Sequence, residues 1–369
     1  MKKAEKNRLF LLRIFHQVLA RIQKMLYDSS KDIIGGVSAL FSSFIPAKYR
    51  KKYGENMYYI GFDIGGTKCA VSVGEANGGN ITVLGREETP TQGSPIQTLA
   101  LLLPSVKKWQ KQYGVTRAGI SCGGPLNSQT GTIVSTPNLP TGWHGFAIVE
   151  YIFKETGLQA KLQNDANACA VAEWRFGAGR GTQNMVFFTF GTGLGAGLIL
   201  DGKLYAGAND NAGEAGHIRL AKNGPRGYGK DGSFEGFCSG NGIAKLAAQM
   251  AARCKNPPAY MKKEGDRYEI TTKELAKHAF DGDKFAKRVF AKSGEMLGKG
   301  LSIIIDVINP EKIVIGGVFM RSSQLLISAM RKQIEKEALT ESASVCEIVP
   351  AQLSENVGDI AALAIAVGE

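Results

Sequence analysis

Two stretches 125 residues apart carry one design. "YIGFDIGGTKCAVSVG" (59–74) and "VFFTFGTGLGAGLILDG" (186–202) each read as an apolar strand, a Gly-rich turn containing Thr, and a second apolar strand. In the second stretch Gly191, Gly193, Gly195 and Gly197 fall at every second position. A Gly-rich turn that opened a helix would point to a dinucleotide site. Here "LILDGKLYAG" follows, a strand ending in the Asp201-Gly202 turn, so the run is the bend of a β-hairpin. Two such hairpins, one per half of the chain, are expected to face each other across a cleft. Their backbone N–H groups would then point at a polyphosphate from both sides, as anion-binding nests do.

The chain around them is long enough, at 369 residues, for two core-bearing domains. Its 46 glycines are about one residue in eight, against a usual share of roughly 7%, so a globular protein rich in tight turns is expected. Six scattered cysteines with no CxxC suit a reducing compartment and a cytoplasmic protein, most of them acting as small buried hydrophobes. The net charge of +12 would suggest nucleic acid if it covered one face. Residues 1–52 alone hold 12 Lys and Arg against Glu5, Asp28 and Asp32; the remainder is nearly balanced. No nucleic-acid partner is therefore expected.

Residues 1–56 form a separate basic extension. Leu11, Phe15, Val18, Ile22 and Met25 follow helical spacing among Arg13, Arg21 and Lys24, the pattern of a basic amphipathic helix. Residues 33–45 are too short and too interrupted to span a bilayer, and Arg13 and His16 break a signal-peptide core. Two readings stand: a disordered or loosely docked appendage, or an upstream start before a true beginning near Met57, on one side, and a helix making weak contact with a membrane surface or partner on the other.

From Met57 the pattern predicts strand, turn, strand, Gly-Gly turn and strand, then a helix from Pro95 closed by Gly114. A short strand leads into the loop-rich "SCGGPLNSQTGTIVSTPNLPTGW". "FAIVEYIFKETG" reads as a helix, "AKLQND" as a strand end, and "ANACAVAEWRFG" as another helix. Beyond the second hairpin, "NDNAGEAGHIRLAKNGPRGYGKDGSFEGFCSG" is irregular. Helices follow at "NGIAKLAAQMAARC" and after a Thr271–Glu274 capping box. A long helix over 284–306, a buried strand entering Gly316-Gly317, a helix over 322–339, a strand over 345–349 and a last helix over 357–367 complete the chain.

"FDIGGTK", "NDANACAVAE", "FGTGLGAG", "GEAGH" and "IGGV" stand here in the order seen in the ROK family of sugar kinases, which this chain resembles from Met57 to its end. The resemblance implies an α/β fold of two ribonuclease-H-like domains, of the actin-like ATPase type, flanking a nucleotide and sugar cleft. The expected boundaries are 57–165 for a small N-terminal domain, joined by a C-terminal helix over 355–369, and 166–354 for a large domain. It further implies ATP and Mg²⁺ as cofactors, a hexose as substrate and a homodimer.

Residue by residue, the resemblance makes Asp165 the catalytic base. Phosphoryl transfer needs a carboxylate to orient the sugar hydroxyl and take its proton. The strand-to-helix junction at Asp165 suits that task, with the positive helix end expected to keep the group ionised. A plain helix cap by Asn164 or Asp165 is the alternative. Asp63 is implied to serve Mg²⁺ through water. Gly65, Gly66, Thr67 and Lys68, with Gly191, Thr192 and Gly193, are implied phosphate contacts, and Gly316 and Gly317 the adenosine turn. Gly124, Asn138, Asn164, Glu214, His217 and Glu235 are implied sugar contacts.

The sequence departs from the family at one place. Members usually follow "GH" with a Cys-rich cluster that binds structural zinc; this chain has Arg226, Tyr228 and Ser233 there, none of them a zinc thiolate. No structural zinc is expected. Gly turns, packing of Tyr228 and Phe234, and an Arg226–Asp231 pair are expected to hold the loop instead. The favoured activity is phosphorylation of a hexose at its 6-hydroxyl, glucose first, with N-acetylglucosamine, N-acetylmannosamine, allose and fructose open. A sugar-responsive DNA-binding regulator is the alternative, because the family also contains repressors. Those carry a winged helix-turn-helix domain, for which residues 1–56 are short and lack the two-helix pattern.

Overall fold

The computed structural model describes residues 57–77, 79–265, 267–353 and 357–368. The expectations for residues 1–56 lie outside them.

The first half runs β1 (Met57–Ile64), β2 (Lys68–Asn77), β3 (Asn80–Pro90), α1 (Pro95–Tyr113), β4 (Arg117–Cys122), the small hairpin β5 (Leu126–Asn127) and β6 (Thr132–Ile133), α2 (Ile148–Thr156), β7 (Gln159–Asn164) and α3 (Asp165–Phe176). The second half runs β8 (Met185–Phe190), β9 (Leu194–Leu200), β10 (Lys203–Tyr205), β11 (Arg226–Gly227), β12 (Lys230–Asp231), α4 (Phe234–Phe237) and α5 (Gly240–Ala252). It continues with β13 (Lys262–Glu264), β14 (Arg267–Glu269), α6 (Thr272–Phe280), α7 (Lys284–Ile308), β15 (Lys312–Ile315), α8 (Val318–Glu337), α9 (Thr340–Val345), β16 (Glu347–Pro350) and α10 (Val357–Val367).

The echo in the sequence extends to the sheets. One five-stranded sheet has the order β3-β2-β1-β4-β7 and the other β10-β9-β8-β15-β16. In each, antiparallel hairpin strands lead into parallel pairs: β1 with β4 and β4 with β7, then β8 with β15 and β15 with β16. Parallel strands need crossover connections, and α1, α2, α7 and α8 fill that need. The α/β, actin-like fold expected from the sequence is the fold observed.

Each sheet has its own apolar core. Ile60, Phe62, Val71, Leu99, Val106, Ile120 and Trp143 fill the first; Phe188, Phe190, Phe234, Ile243, Phe290, Leu301 and Phe319 fill the second. A third cluster joins them through α3 and α10, where Ala168, Ala172, Phe187, Val314, Ala361 and Ile365 meet. Gly119 of β4 lies against the backbone of Ala362 and Ala366, so α10 seats directly on the first sheet and a Cβ at 119 would push it off. Four of the six free cysteines are buried. No helix among the described residues is long and apolar enough to cross a membrane.

Three boundaries differ from the sequence expectation. Helix α8 starts at Val318, directly after Gly317, with a bend at Ser322 where the expected helix began. The last strand is shifted to Glu347–Pro350, and the short α9 precedes it. Six residues without apolar periodicity gave no helical signal there.

Candidate active site

The three parallel strands of the first sheet deliver the first set of groups at one edge. Register pairs Asp63 with Ser121 and Cys122 with Asn164, so β1, β4 and β7 end side by side. Asp63, the Gly123-Gly124 turn and Asn164-Asp165 therefore share the crevice beyond the carboxyl ends of the strands, where ligands of open α/β sheets sit.

Asn164 is the N-cap of α3. Its Oδ1 accepts the Ala166 N–H at 2.9 Å, and its Nδ2 lies against Gly124. Asp165 is the first helical residue, and its Oδ1 accepts the same N–H at 2.7 Å. The other oxygen, Oδ2, faces Gly123. Asp165 opens to the cleft, but protein crowds it and thins its hydration. That desolvation raises its proton affinity, and the Ala166 N–H only partly opposes the rise. The helix N–H favours the ionised form, as expected, while loss of hydration works against it.

Asp63 lies beside Gly358 of α10. Its carboxyl is pushed up to about 6, by desolvation first, then by the nearby carboxylates of Asp359 and Asp165, with Arg86 and Lys68 opposing. Asp359, buried in α10, accepts from Arg86 Nε at 2.8 Å. Arg86 also bonds Glu88 at 2.6 Å, and Glu88 holds Lys68 Nζ at 2.9 Å. Lys68, an expected phosphate contact, is thus exposed and tethered to Glu88. Gly65 N–H is turned back onto Lys68 O at 3.2 Å, and Gly66 abuts Asn138, which brings the "PNLP" loop onto the turn at Gly65, Gly66 and Thr67.

The second hairpin is a β8–β9 turn over 191–193, Phe190 pairing with Leu194. Gly240 N–H, at the start of α5, bonds Gly191 O at 2.7 Å, and Asn241 N–H reaches Thr192 O at 3.5 Å. Gly316 N–H bonds Phe188 O at 2.9 Å; Gly317, at φ 63°, lies on the Phe190 carbonyl where no side chain fits. The turn at Gly316-Gly317 and the turn at Gly191, Thr192 and Gly193 therefore adjoin.

Glu235 reaches the same hairpin. Its Oε2 accepts the Leu194 N–H at 3.1 Å and abuts Gly193. Around it stand Glu214 and His217, both exposed, and Tyr228, which the sequence reading assigned only to loop packing. The His217 and Tyr228 rings lie 4.0 Å apart between centroids. Tyr228 also lies near Glu214 and Glu235, and desolvation with these two carboxylates pushes its hydroxyl well above the ordinary value.

The residues at the zinc-cluster positions form a different structure. Tyr228 (φ 49°) and Gly229 (φ 72°) turn β11 into β12. Ser233 Oγ donates to Gly227 O at 3.0 Å and accepts the Gly236 N–H at 3.1 Å. Lys230 Nζ donates to His217 O at 2.8 Å, and Phe234 is fully buried. Arg226 and Asp231 face each other in the backbone ladder, but no ion pair joins them among the described residues, which corrects that expectation. These donors do not fit zinc. A hard divalent cation fits the Asp63 side better, where crowded carboxylates offer oxygen. Among the described residues no group of three or more His, Cys, Asp or Glu could hold a metal, so such an ion would rest on one carboxylate, water and substrate oxygens.

Comparison with known proteins identifies what the chain is similar to. A glucokinase of Halalkalibacterium halodurans is 31% identical over 313 residues, 82% of this chain and 93% of its own. The structure of a ROK family glucokinase from Streptomyces griseus, in complex with glucose and AMPPNP, is 28% identical with a TM-score of 0.67, covering 85% of this chain and all of that one. A ROK family transcriptional regulator, homolog of the MLC protein of E. coli, superposes with a TM-score of 0.71 at 26% identity, over 84% of this chain and 78% of its own. The ROK family model matches residues 59–369, and the chain belongs to the ROK family.

Proposed function

We infer that the chain is an ATP-dependent sugar kinase, and we propose that it phosphorylates a hexose, glucose first among the candidates, at the 6-hydroxyl. The observation that carries this reading is Asp165: a carboxylate of raised proton affinity, aimed into the cleft between two Gly-rich hairpins and a cluster of sugar-suited polar groups. A base works best when its pKa lies near the working pH, and desolvation moves Asp165 in that direction.

Ala166 N–H anchors Asp165 Oδ1, leaving Oδ2 to receive the hydroxyl proton. As that proton moves, the sugar oxygen attacks the γ-phosphorus in line and the bond to the β-phosphate oxygen breaks, releasing ADP. Gly65 and Gly191 N–H close their own turns, so the N–H groups of Gly66, Thr67, Thr192 and Gly193 would face the developing charge. Asp63 would hold Mg²⁺ through water, which supplies positive charge to the phosphates. Glu214, His217, Glu235, Asn138, Asn164 and Gly124 would orient the sugar ring. Glu235 ties the two substrates together, because the N–H it accepts belongs to the phosphate hairpin.

The likeness to a transcriptional regulator favours a second reading, a sugar-binding regulator. Asp63, Asp165 and both Gly hairpins together favour catalysis. A coupled ADP-release assay over a panel of hexoses and N-acetylhexosamines, with ATP and Mg²⁺, tests the kinase. No turnover on any sugar, with retention of operator DNA in a gel-shift, would establish the regulator.

A further inference from the structure

Ser128 and Asp210 meet across the cleft. Ser128 follows β5, in the excursion that leaves the first sheet at β4; Asp210 lies in the 206–213 loop after β10 of the second sheet. Asp210 Oδ2 accepts the Ser128 N–H at 2.8 Å, and Oδ1 accepts the Ser128 hydroxyl at 2.7 Å. One carboxylate thus takes both donors of one residue, and such charge-assisted pairs are about twice as strong as neutral ones.

Both sides of the contact are built. On the Ser128 side, Thr130 N–H donates to Asn127 Oδ1 at 2.9 Å and Leu126 pairs with Ile133. On the other side, Ala212 N–H donates to Ala206 O at 3.0 Å and Ala196 N–H to Gly213 O at 3.1 Å, which closes the loop on itself and onto β9. Asp210 sits at φ 62°, a left-handed conformation that Asp and Asn tolerate better than most residues. The loop ends at Glu214, and Gly124 lies just before β5. The contact therefore joins the two walls of the proposed sugar site close to the residues that would touch the ring.

We propose that Asp210 and Ser128 form a clasp that fixes the spacing of these walls and so sets sugar affinity. Asp210 is a positioning residue: it acts through the loop that carries Glu214 and His217. Preorganised walls spare a bound sugar the cost of ordering them. The proposal rests on the sugar-kinase reading for its ligand, but the clasp itself does not.

The test uses the full chain with Asp210→Asn, Ser128→Ala and the double variant. Asn keeps the backbone tolerance at 210 and removes the charge. In each variant KM for glucose should rise about tenfold, the loss of one charge-assisted contact, with kcat and KM for ATP within about twofold. The double variant should be worse than Asp210→Asn by less than the Ser128→Ala effect alone, because the hydroxyl bond lost in Ser128→Ala is one of the two that Asp210→Asn weakens. Hydrogen exchange at the Ser128 amide should be slow in the parent protein and about tenfold faster in Asp210→Asn. An unchanged sugar KM in both single variants, or single effects on it that simply add in the double variant, overturns the role in affinity. Equal exchange at Ser128 in parent and variant overturns the clasp. If the parent chain phosphorylates no sugar, the kinase reading and the affinity role fail together, while the exchange result still decides the clasp.

Discussion

Glu173 of α3 accepts the backbone N–H of Leu353 at 2.8 Å, although 180 residues separate them. The same fully buried carboxylate takes Gln352 N–H at 3.0 Å and Ala178 N–H at 2.8 Å. Asp165 opens this helix, and Leu353 lies in the segment that carries the chain from β16 toward α10. One side chain therefore pins the helix of the candidate base to the crossing between the two sheets. Glu173→Ala leaves the three N–H groups without that acceptor. It should lower unfolding free energy by about 3 kcal/mol, measured by urea titration. A loss under about 1 kcal/mol would mean that water or another acceptor replaces the carboxylate.

Asp63 is a second test of local strain, this time electrostatic. Its carboxyl binds a proton up to about 6 in the folded chain, against an ordinary 3.8. A raised carboxyl stabilises the fold while protonated and loses that contribution as pH climbs from about 4 to about 6. Above that window the fold carries an unfavourable charge. Asp63→Asn should therefore raise Tm at neutral pH, with the gain shrinking below about pH 4. The same variant should bind ATP with Mg²⁺ more weakly. An unchanged Tm at neutral pH would show that Asp359 and Asp165 do not act on Asp63.

What could be read from the sequence was local. The two hairpins, the β7–α3 junction at Asn164-Asp165, the Thr271–Glu274 capping box and the long α7 each declare themselves within a few residues, through alternation, Gly turns or cap chemistry. The contacts missed are between distant side chains. Glu173 looked like an ordinary helix residue because its donors lie far along the chain. Arg86 and Asp359 are 273 positions apart, and Ser128 and Asp210 are 82 apart. Tyr228 was read as packing; its place beside Glu214 and His217 depends on a turn that brings it to the sugar cluster. The desolvation of Asp165 was missed for a related reason, since crowding is a property of the folded cleft.

Asp165→Asn tests the proposed chemistry. Asn keeps the volume and can still accept the Ala166 N–H, so folding and sugar affinity should hold within about tenfold. Turnover should fall at least about 100-fold, the lower end of what a general base contributes. In the parent chain kcat should fall as pH drops, through an acid limb above the ordinary Asp value of 3.8, because desolvation raises the carboxyl. A variant that keeps most of its turnover would place the base elsewhere.

The loop over 217–235 tests how a chain with Arg226, Tyr228 and Ser233 at the zinc-cluster positions holds its sugar cluster. The His217–Tyr228 ring pair, the placement of Tyr228 near Glu214 and the Ser233 bonds to Gly227 and Gly236 are all zinc-independent. Metal analysis of the purified protein should find no stoichiometric zinc. Strong chelators should leave Tm unchanged and stop turnover only reversibly, with Mg²⁺ restoring it. Tyr228→Phe keeps the ring on His217 and loses the hydroxyl, so it isolates what the hydroxyl contributes beside Glu214. Tyr228→Ala removes both. Sugar KM should rise in the order parent, Phe, Ala, with the Ala variant about tenfold or more above the parent, the scale of one lost polar contact plus ring packing. KM for ATP should stay near the parent value, because the ring pair lies on the sugar side of Glu235. One tightly held zinc per chain, whose removal unfolds the protein, would defeat this account and redirect attention to Cys238, Cys254 and His217 as ligands.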